Sequence, residues 1–218
     1  GTGAIGTYIG GSLALLGERV VFLDRPETCQ AIARTGLRLQ LGEGTFSLPE
    51  PVLVDTPSKA LALGPFRAAV FAMKSFDTQA ALDEIAPFTE GFPPVLCLQN
   101  GVENESRIAQ TLGDSRIIPG TLTSAIGKKA LGEIVLEKLR GVGIAAGHPL
   151  AKTLAGIFNQ AGLNARLFGS APAMKWSKLL TNLLANASSA ILGMEPGKIY
   201  ANPGLHQLEI AQLREALA

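Results

Sequence analysis

The chain has 218 residues, of which 47% are hydrophobic and 17% are charged, and its formal net charge at pH 7 is +1. Its Lys and Arg residues are scattered, which argues against a nucleic-acid partner, and its apolar runs are far shorter than the roughly 20 residues that cross a bilayer. We therefore expect neither nucleic-acid binding nor a membrane-spanning helix, and we expect a sizeable apolar core.

The cysteines and histidines argue against a metal site and against a disulfide framework. Cys29 and Cys97 lie far apart without C-x-x-C spacing, and His148 and His206 are isolated from each other. Neither pair has the spacing of a zinc site. The chain also opens on glycines rather than on a basic and apolar leader, so the reducing cytoplasm is its expected location.

The first predicted elements are those of a dinucleotide-binding unit. Residues 1–6 form a G-x-G-x-x-G motif, the apolar run at 8–16 predicts a helix, and residues 19–25 predict a strand that ends in an acidic and a basic residue. A short helix is predicted at 27–35. The glycines permit a tight turn, close approach to a pyrophosphate and close helix–strand packing. Glycine is frequent in this chain, so the context of the motif, rather than the motif alone, favours a dinucleotide site over a plain turn.

Strand and helix patterns continue to alternate up to about residue 168. Apolar and β-branched runs predict the strands, and a longer segment between two of them predicts a helix. The predicted strands lie at 37–41, 52–54, 68–73, 95–98 and 116–119, with a helix at 78–88 and an antiparallel strand pair at 133–136 and 142–145. This order predicts an α/β fold with a Rossmann-type, doubly wound sheet.

The sequence changes in character after Phe168. Residues 174–192 contain no glycine or proline and predict one long helix, and residues 206–218 predict another. We predict a Rossmann domain at 1–168 and the start of an all-helical substrate and dimerisation domain at 169–218. A Rossmann turn follows a first strand and two helices cannot bury their apolar faces alone, so we expect a strand before Gly1 and more helices after Ala218.

Asp24 and Arg25 leave the choice of coenzyme open. A carboxylate at the end of the second Rossmann strand accepts a hydrogen bond from a ribose 2′-hydroxyl and favours NAD. A guanidinium pairs with a 2′-phosphate and favours NADP. Both residue types are present side by side.

Two polar residues follow predicted parallel strands, where open α/β sheets bind their ligands. Lys74 follows the strand at 68–73, and Asn100 follows the strand at 95–98. A solvated surface lysine and an ordinary Asn-Gly turn would explain them equally well.

Lys178, Asn182 and Asn186 recur at intervals of four residues, which places them on one face of the predicted long helix. Most neighbouring positions are apolar, so we expect this helix to be buried. Three polar side chains on a buried helix need partners, either in a ligand cleft or among themselves. A buried lysine of lowered pKa can act as a general acid toward a ketone oxygen, so the pattern favours a carbonyl-reductase site without a metal.

In chain order, these segments resemble the ketopantoate reductase (2-dehydropantoate 2-reductase) family. The resemblance covers nearly the whole chain, and its segments are Gly1-Thr2-Gly3-Ala4-Ile5-Gly6, Met73-Lys74, Gln99-Asn100-Gly101, Gly120-Thr121 with the hairpin after it, and Trp176-Ser177-Lys178-Leu179 with Asn182 and Asn186. The last segment is the most specific, because W-x-K-L followed by spaced asparagines is unusual outside this family.

The resemblance implies reduction of 2-dehydropantoate, or of a similar 2-keto acid, with NADPH in pantothenate biosynthesis. It implies Lys178 as the catalytic acid and substrate contacts from Asn182, Asn186 and Asn100. It implies a coenzyme site formed by Gly1, Gly3, Ala4, Ile5, Gly6, Arg25, Lys74, Asn100 and Ala125. Arg25 falls where the family places its 2′-phosphate-binding arginine, which favours NADP, whereas Asp24 beside it departs from the family pattern.

Two other functions stay open on the sequence alone. One is a related hydroxy-acid dehydrogenase of the same superfamily, and the other is a non-catalytic NADP-binding sensor. Coenzyme binding alone would not require the polar stripe from Lys178 to Asn186, which argues against the sensor. The expected partner is a small 2-keto acid, and an exposed apolar helix face would suit a homodimer.

Overall fold

A computed structural model describes residues 1–217, which form eleven β-strands and ten α-helices. The strands are β1 (Val21–Leu23), β2 (Leu37–Leu41), β3 (Gly44–Leu48), β4 (Val52–Val54), β5 (Ala69–Phe71), β6 (Val95–Cys97), β7 (Ile117–Leu122), β8 (Ala125–Ala130), β9 (Glu133–Lys138), β10 (Val142–Ala145) and β11 (Ala165–Phe168). The helices are α1 (Ala4–Leu15), α2 (Pro26–Thr35), α3 (Pro57–Ala62), α4 (Thr78–Ile85), α5 (Asn104–Leu112), α6 (Ala151–Gln160), α7 (Ala171–Leu183), α8 (Asn186–Leu192), α9 (Pro196–Ala201) and α10 (Pro203–Leu217).

Helices cover both faces of the central sheet, whose strand order is β11-β10-β7-β6-β5. Neighbouring residues of β6 enter two different apolar clusters. Leu96 packs with side chains of α1 and α6, whereas Val95 and Cys97 pack with side chains of α4 and α5. Because successive side chains of a strand point to opposite faces, this division confirms the predicted α/β, doubly wound architecture. Strands β1 and β4 form a separate parallel pair.

The predicted pairing of residues 133–136 with residues 142–145 is wrong. Strand β9 pairs with β8 and β2 in a four-stranded sheet of order β3-β2-β9-β8. Strand β10 instead lies in the central sheet, antiparallel to β7 and parallel to β11. All four residues of β10 are buried, as expected for an inner strand covered on both faces. The short connection between β9 and β10 contains glycine, as a hairpin turn often does. The two strands nevertheless belong to different sheets, because β10 is buried on both faces.

The long helix predicted at 174–192 is broken in two. Helix α7 ends at Leu183, Ala185 adopts a left-handed conformation with φ of 58°, and α8 begins at Asn186. The Ala185 amide donates a 2.6 Å hydrogen bond to Oε2 of Glu209, and the Ser188 hydroxyl donates to the other oxygen of the same carboxylate. Glu209 lies on α10 and is only 2% exposed. A contact from 24 residues further along the chain therefore stabilises the break.

The expected burial of this helical segment is also wrong. In α7 only Met174 and Lys175 are buried, while Trp176 is 45% exposed and Ile191 of α8 is 81% exposed. Helix α7 packs against β7, β10 and α10, yet most of its side chains are exposed or half-buried among the described residues. The domain boundary at residue 168 stays a prediction, and the Ala218 end of the helix predicted at 206–218 lies outside the described residues.

No helix within residues 1–217 combines the length and the apolarity that crossing a membrane requires.

We predict that Glu209→Gln destabilises the protein in a pH-dependent way. The hydrogen bonds from Ser188 and Ala185 lower the pKa of the Glu209 carboxyl. The stabilisation is therefore complete above the ordinary glutamate pKa near 4.3 and is lost as the pH falls through the lowered folded-state value. Urea unfolding should give a free energy of unfolding about 2 kcal/mol smaller for the variant at pH 7, and the difference should shrink at acid pH. The exposed Glu215 on the same helix provides the control, Glu215→Gln, and an equal loss there would contradict the prediction.

Candidate coenzyme and substrate site

The glycine loop at the start of α1 has the shape that a dinucleotide phosphate requires. A Cβ atom on Gly6 would lie 1.7 Å from the Gly1 carbonyl oxygen, so only glycine fits there. A Cβ on Gly3 would meet nothing within 4 Å, because that side of the loop is open. Ala4 and Ile5 follow as the first residues of α1, whose leading amides have no partner inside the helix. The open loop and the free amides fit an anion at this helix N-terminus.

The Asp24 carboxylate is engaged by the protein itself. Oδ2 accepts hydrogen bonds from the amide of Thr2 and, at 2.6 Å, from its hydroxyl, while Oδ1 accepts from the Arg25 amide at 2.8 Å. Burial raises the pKa of the Asp24 carboxyl, but these hydrogen bonds outweigh burial and lower the pKa overall. Asp24 thus ties the end of β1 to the glycine loop, and each of its oxygens accepts at least one hydrogen bond from the protein.

Arg25 points its guanidinium into solvent at the start of α2. Its side chain is 75% exposed, and Nη2 lies 3.0 Å from Oδ1 of Asp77. Exposed ion pairs of this kind contribute little stability, so an anion of higher charge can displace Asp77. Arg25 is therefore the available polar side chain at the edge of β1.

Lys74 and Asn100 lie at the ends of neighbouring strands, β5 and β6, and both are exposed. Gln99 joins the two segments, because its side-chain nitrogen donates to the Met73 carbonyl at 3.2 Å and to the Thr78 hydroxyl at 2.7 Å. Asn100 accepts a hydrogen bond at its carbonyl from the Asn104 side chain, which leaves its own amide group exposed. Ala125, half-buried, opens β8.

The predicted stripe of Lys178, Asn182 and Asn186 is only partly present. Lys178 and Asn182 are half-buried on α7, one turn apart, whereas Asn186 is exposed and belongs to α8. The left-handed Ala185 ends the helical repeat before the third residue. The structure therefore brings two of the three side chains onto a common helix face.

Lys178 is the lysine of α7 whose environment favours loss of a proton. Burial lowers the pKa of its ammonium, and the positive charge of Arg140 lowers it further. No carboxylate in the described part of the chain forms an ion pair with Lys178. This half-buried ammonium has the character that a general acid needs.

Lys175 and Glu105 form a buried ion pair that the sequence motifs do not single out. Lys175 Nζ lies 2.7 Å from Oε1 of Glu105, which is on the first turn of α5. One signal could have found Lys175. It precedes Lys178 by three residues, so both lie on the same side of the helix.

The sequence of the chain matches a known protein family. Residues 1–147 match the family described as Ketopantoate reductase PanE/ApbA. The chain belongs to this family. It is therefore an NAD(P)-dependent oxidoreductase, as the resemblance implies.

Relatives of this reductase match over nearly the whole chain. The 2-dehydropantoate 2-reductase of Pyrococcus horikoshii is 29% identical over 99% of this chain and 70% of its own length. The crystal structure of 2-dehydropantoate 2-reductase from Geobacter metallireducens has a TM-score of 0.85 and 30% identity, over 99% of this chain and 72% of that one. D-mandelate dehydrogenase in complex with NADH shares the fold, with a TM-score of 0.82 at 21% identity, over 99% of this chain and 69% of that one.

The histidines of this reductase have ordinary structural contacts. His148 Nδ1 accepts from the Leu150 amide, and its Nε2 lies 3.1 Å from the Ser115 carbonyl oxygen. The His206 ring packs edge-on against Tyr200. Within residues 1–217, no three His, Cys, Asp or Glu side chains are grouped in a way that could hold a metal ion.

Proposed function

We propose that the protein reduces 2-dehydropantoate to pantoate, or reduces a similar 2-keto acid, with NADPH, as a step of pantothenate biosynthesis. The observation that carries this proposal is Lys178, a half-buried lysine of lowered pKa in the W-x-K-L segment of a ketopantoate reductase family member. The printed names of the relatives support the substrate.

The reaction needs one hydride and one proton. The hydride for the keto carbon would come from the nicotinamide coenzyme when it is bound. We assign the proton to Lys178, whose Nζ donates it to the carbonyl oxygen as that oxygen becomes a hydroxyl group. The Lys178 amine then regains a proton from solvent.

Neighbouring amides would hold the substrate in register for this transfer. Asn182, one turn after Lys178, presents a donor and an acceptor suited to a hydroxyl group or a carboxylate. We assign the same role to Asn100, at the end of β6, and to Asn186. Among Lys178, Asn182 and Asn186, Asn186 is the most exposed. Its contact with the substrate therefore depends on the orientation of α8.

The coenzyme preference follows from the different engagement of Asp24 and Arg25. Both oxygens of Asp24 accept hydrogen bonds from the protein, which supports a structural role rather than a contact to a ribose 2′-hydroxyl. Arg25 is exposed beside it and matches a 2′-phosphate in charge and shape. We therefore propose NADPH over NADH, bound by Gly1, Gly3, Ala4, Ile5, Gly6, Arg25, Lys74, Asn100 and Ala125.

The proposed setting is the reducing cytoplasm, which the two free, buried cysteines support. The proposed assembly is a homodimer. Ile191, Leu192 and Leu217 are exposed apolar side chains that a second copy would cover.

We expect the full-length protein to oxidise NADPH when 2-dehydropantoate is added. Lys178→Ala should lower kcat/KM by roughly 10²- to 10⁴-fold, the usual contribution of a general acid, while NADPH binding, measured by fluorescence, is retained. Lys198→Ala, on the exposed surface of α9, is the matched control and should keep wild-type turnover. NADPH that stays unoxidised with 2-dehydropantoate and with a panel of branched 2-keto acids would contradict the enzymatic proposal. Binding without turnover would then indicate a sensor.

The rate of reduction should depend on alkaline pH through Lys178. The acid must be protonated, so kcat/KM should fall as the pH rises through the Lys178 pKa, which lies below the ordinary lysine value near 10.4. Arg140→Gln removes the repelling charge, so it should raise this pKa and shift the alkaline limb to higher pH. Lys138→Gln removes a nearby exposed charge of the same sign and should leave the limb in place. Equal limbs in wild type and Arg140→Gln would argue against Lys178 as the titrating acid.

Arg25→Ala should weaken NADPH binding by roughly ten- to hundredfold and leave NADH binding nearly unchanged, because hydrogen bonds to charged groups contribute roughly 1.5–3 kcal/mol. Arg34→Ala, at the far end of the same helix, controls for the loss of one positive charge. Isothermal titration with both coenzymes measures the preference. An unchanged ratio of the two dissociation constants in Arg25→Ala would remove the basis for choosing NADPH.

A further inference from the structure

Helix α7 carries a second lysine that the proposed reaction does not use. Lys175 is 6% exposed, although it lies only one turn before the half-buried Lys178. Charged lysines are almost never buried this deeply unless they are paired. The position of this ammonium therefore calls for an explanation of its own.

The Lys175 ammonium is held by three groups from three different elements. Its Nζ donates hydrogen bonds to the Gln99 carbonyl at 2.8 Å, just beyond β6, and to the Gly120 carbonyl at 3.2 Å, in β7. Oε1 of Glu105, on α5, lies 2.7 Å from the same nitrogen. That oxygen is buried and accepts no hydrogen bond of good geometry among the described residues. The positive charge of Lys175 therefore compensates the negative charge of the Glu105 carboxylate.

These contacts join α7 to both strand ends of the proposed coenzyme site. Gln99 is followed directly by Asn100, and the Gln99 side chain holds the Met73 carbonyl, which is next to Lys74. A shift of α7 away from the sheet would break the bonds to Gln99 and Gly120 together. It would also leave a buried carboxylate without its counter-charge, which is strongly unfavourable.

We propose that Lys175 is a positioning residue that sets the distance between Lys178 on α7 and the strand ends carrying Lys74 and Asn100. The proposal rests on the proposed function, since it concerns the geometry of the same site. Lys175 touches neither substrate nor coenzyme in this role. It acts through the Gln99 backbone and through the placement of its own helix.

The test compares Lys175→Met with a variant that restores charge balance. Loss of one partner of a buried ion pair is strongly destabilising, whereas replacement of both partners is often neutral. Lys175→Met alone can therefore lose stability, and the double variant Lys175→Met/Glu105→Gln separates folding from positioning. The exposed Lys152 of α6 gives the matched control, Lys152→Met.

The kinetic readout is the division of the effect between kcat and binding in the full-length protein. In the double variant we expect thermal stability close to wild type, an NADPH dissociation constant within about threefold, and a kcat lower by about tenfold to hundredfold, the range expected when reacting groups are misplaced by about 1 Å. A folded double variant with wild-type kcat would overturn the proposal. So would a kcat loss that only tracks the amount of folded protein.

A second readout does not depend on turnover. Nitroxide labels at the exposed positions Ser177 and Arg107, each changed to Cys, report the distance between α7 and α5. Pulsed electron spin resonance should give a narrow distance distribution in the wild-type and Lys152→Met backgrounds, and a broader or shifted one in both Lys175→Met variants. An unchanged distribution would overturn the proposal even in a protein that reduces no keto acid. Conversely, a broadened distribution with no turnover in the wild type would contradict the proposed function alone.

Discussion

Helix α7 meets the sheet through a buried charge as well as through apolar packing. The Lys175 ammonium lies where β6, β7 and α5 converge, and the desolvation of such a charge costs several kcal/mol unless its partners are in place. Met174 beside it packs so closely on β10 that a Cβ on Gly143 would lie 2.8 Å from the methionine sulfur. Helix α7, which carries Lys178, is thus fixed at its N-terminal half. The contact between Met174 and Gly143 leaves no room for a side chain at position 143.

A second constraint acts at the opposite end of the site. Asp24 closes the glycine loop onto the end of β1 through Thr2, and Gly6 lets α1 begin directly against the Gly1 carbonyl. From the sequence alone, an acidic residue at the end of this strand is a candidate ligand of the ribose. Here the same carboxylate accepts hydrogen bonds from Thr2 and from the Arg25 amide, while the Arg25 guanidinium beside it is exposed. The two neighbours thus differ in their contacts: Asp24 is hydrogen-bonded to the loop, whereas Arg25 is exposed and, among the described residues, paired only with Asp77.

Local patterns predicted several strands well because apolar residues dominate these short segments and glycine or proline lies next to them. The sheet strands 37–41, 52–54 and 142–145 agree with β2, β4 and β10 in their bounds. The same patterns did not predict α3, α5 and α6, whose polar and small residues resemble loops. They also assigned β10 to the wrong partner, since strand pairing is decided by tertiary burial rather than by chain distance.

The helical part was less predictable for a physical reason. Nothing at Ala185 signals a left-handed residue, because alanine adopts that conformation only under tertiary constraint. The constraint is the Glu209 carboxylate, 24 residues away. The regular spacing of four residues therefore predicted Asn186 as part of the polar stripe, whereas helix α7 ends at Leu183. The site residues Lys178 and Asn182 share a face as predicted, and the pair Lys175–Glu105 could not be paired from sequence because its members lie on elements 70 residues apart.

The two lysines of α7 have different surroundings, and we propose different roles for them. Lys175 has a carboxylate and two carbonyls around its ammonium, so its positive charge is compensated where it lies. Lys178 has burial and a nearby Arg140 instead, and both lower its pKa. The two positions are about 4.5 Å apart along the helix axis. A given tilt of the helix displaces residues near the fixed point least, so Lys175 would hold Lys178, the proposed acid, close to its place, and a misplacement of about 1 Å can cost roughly a hundredfold in rate.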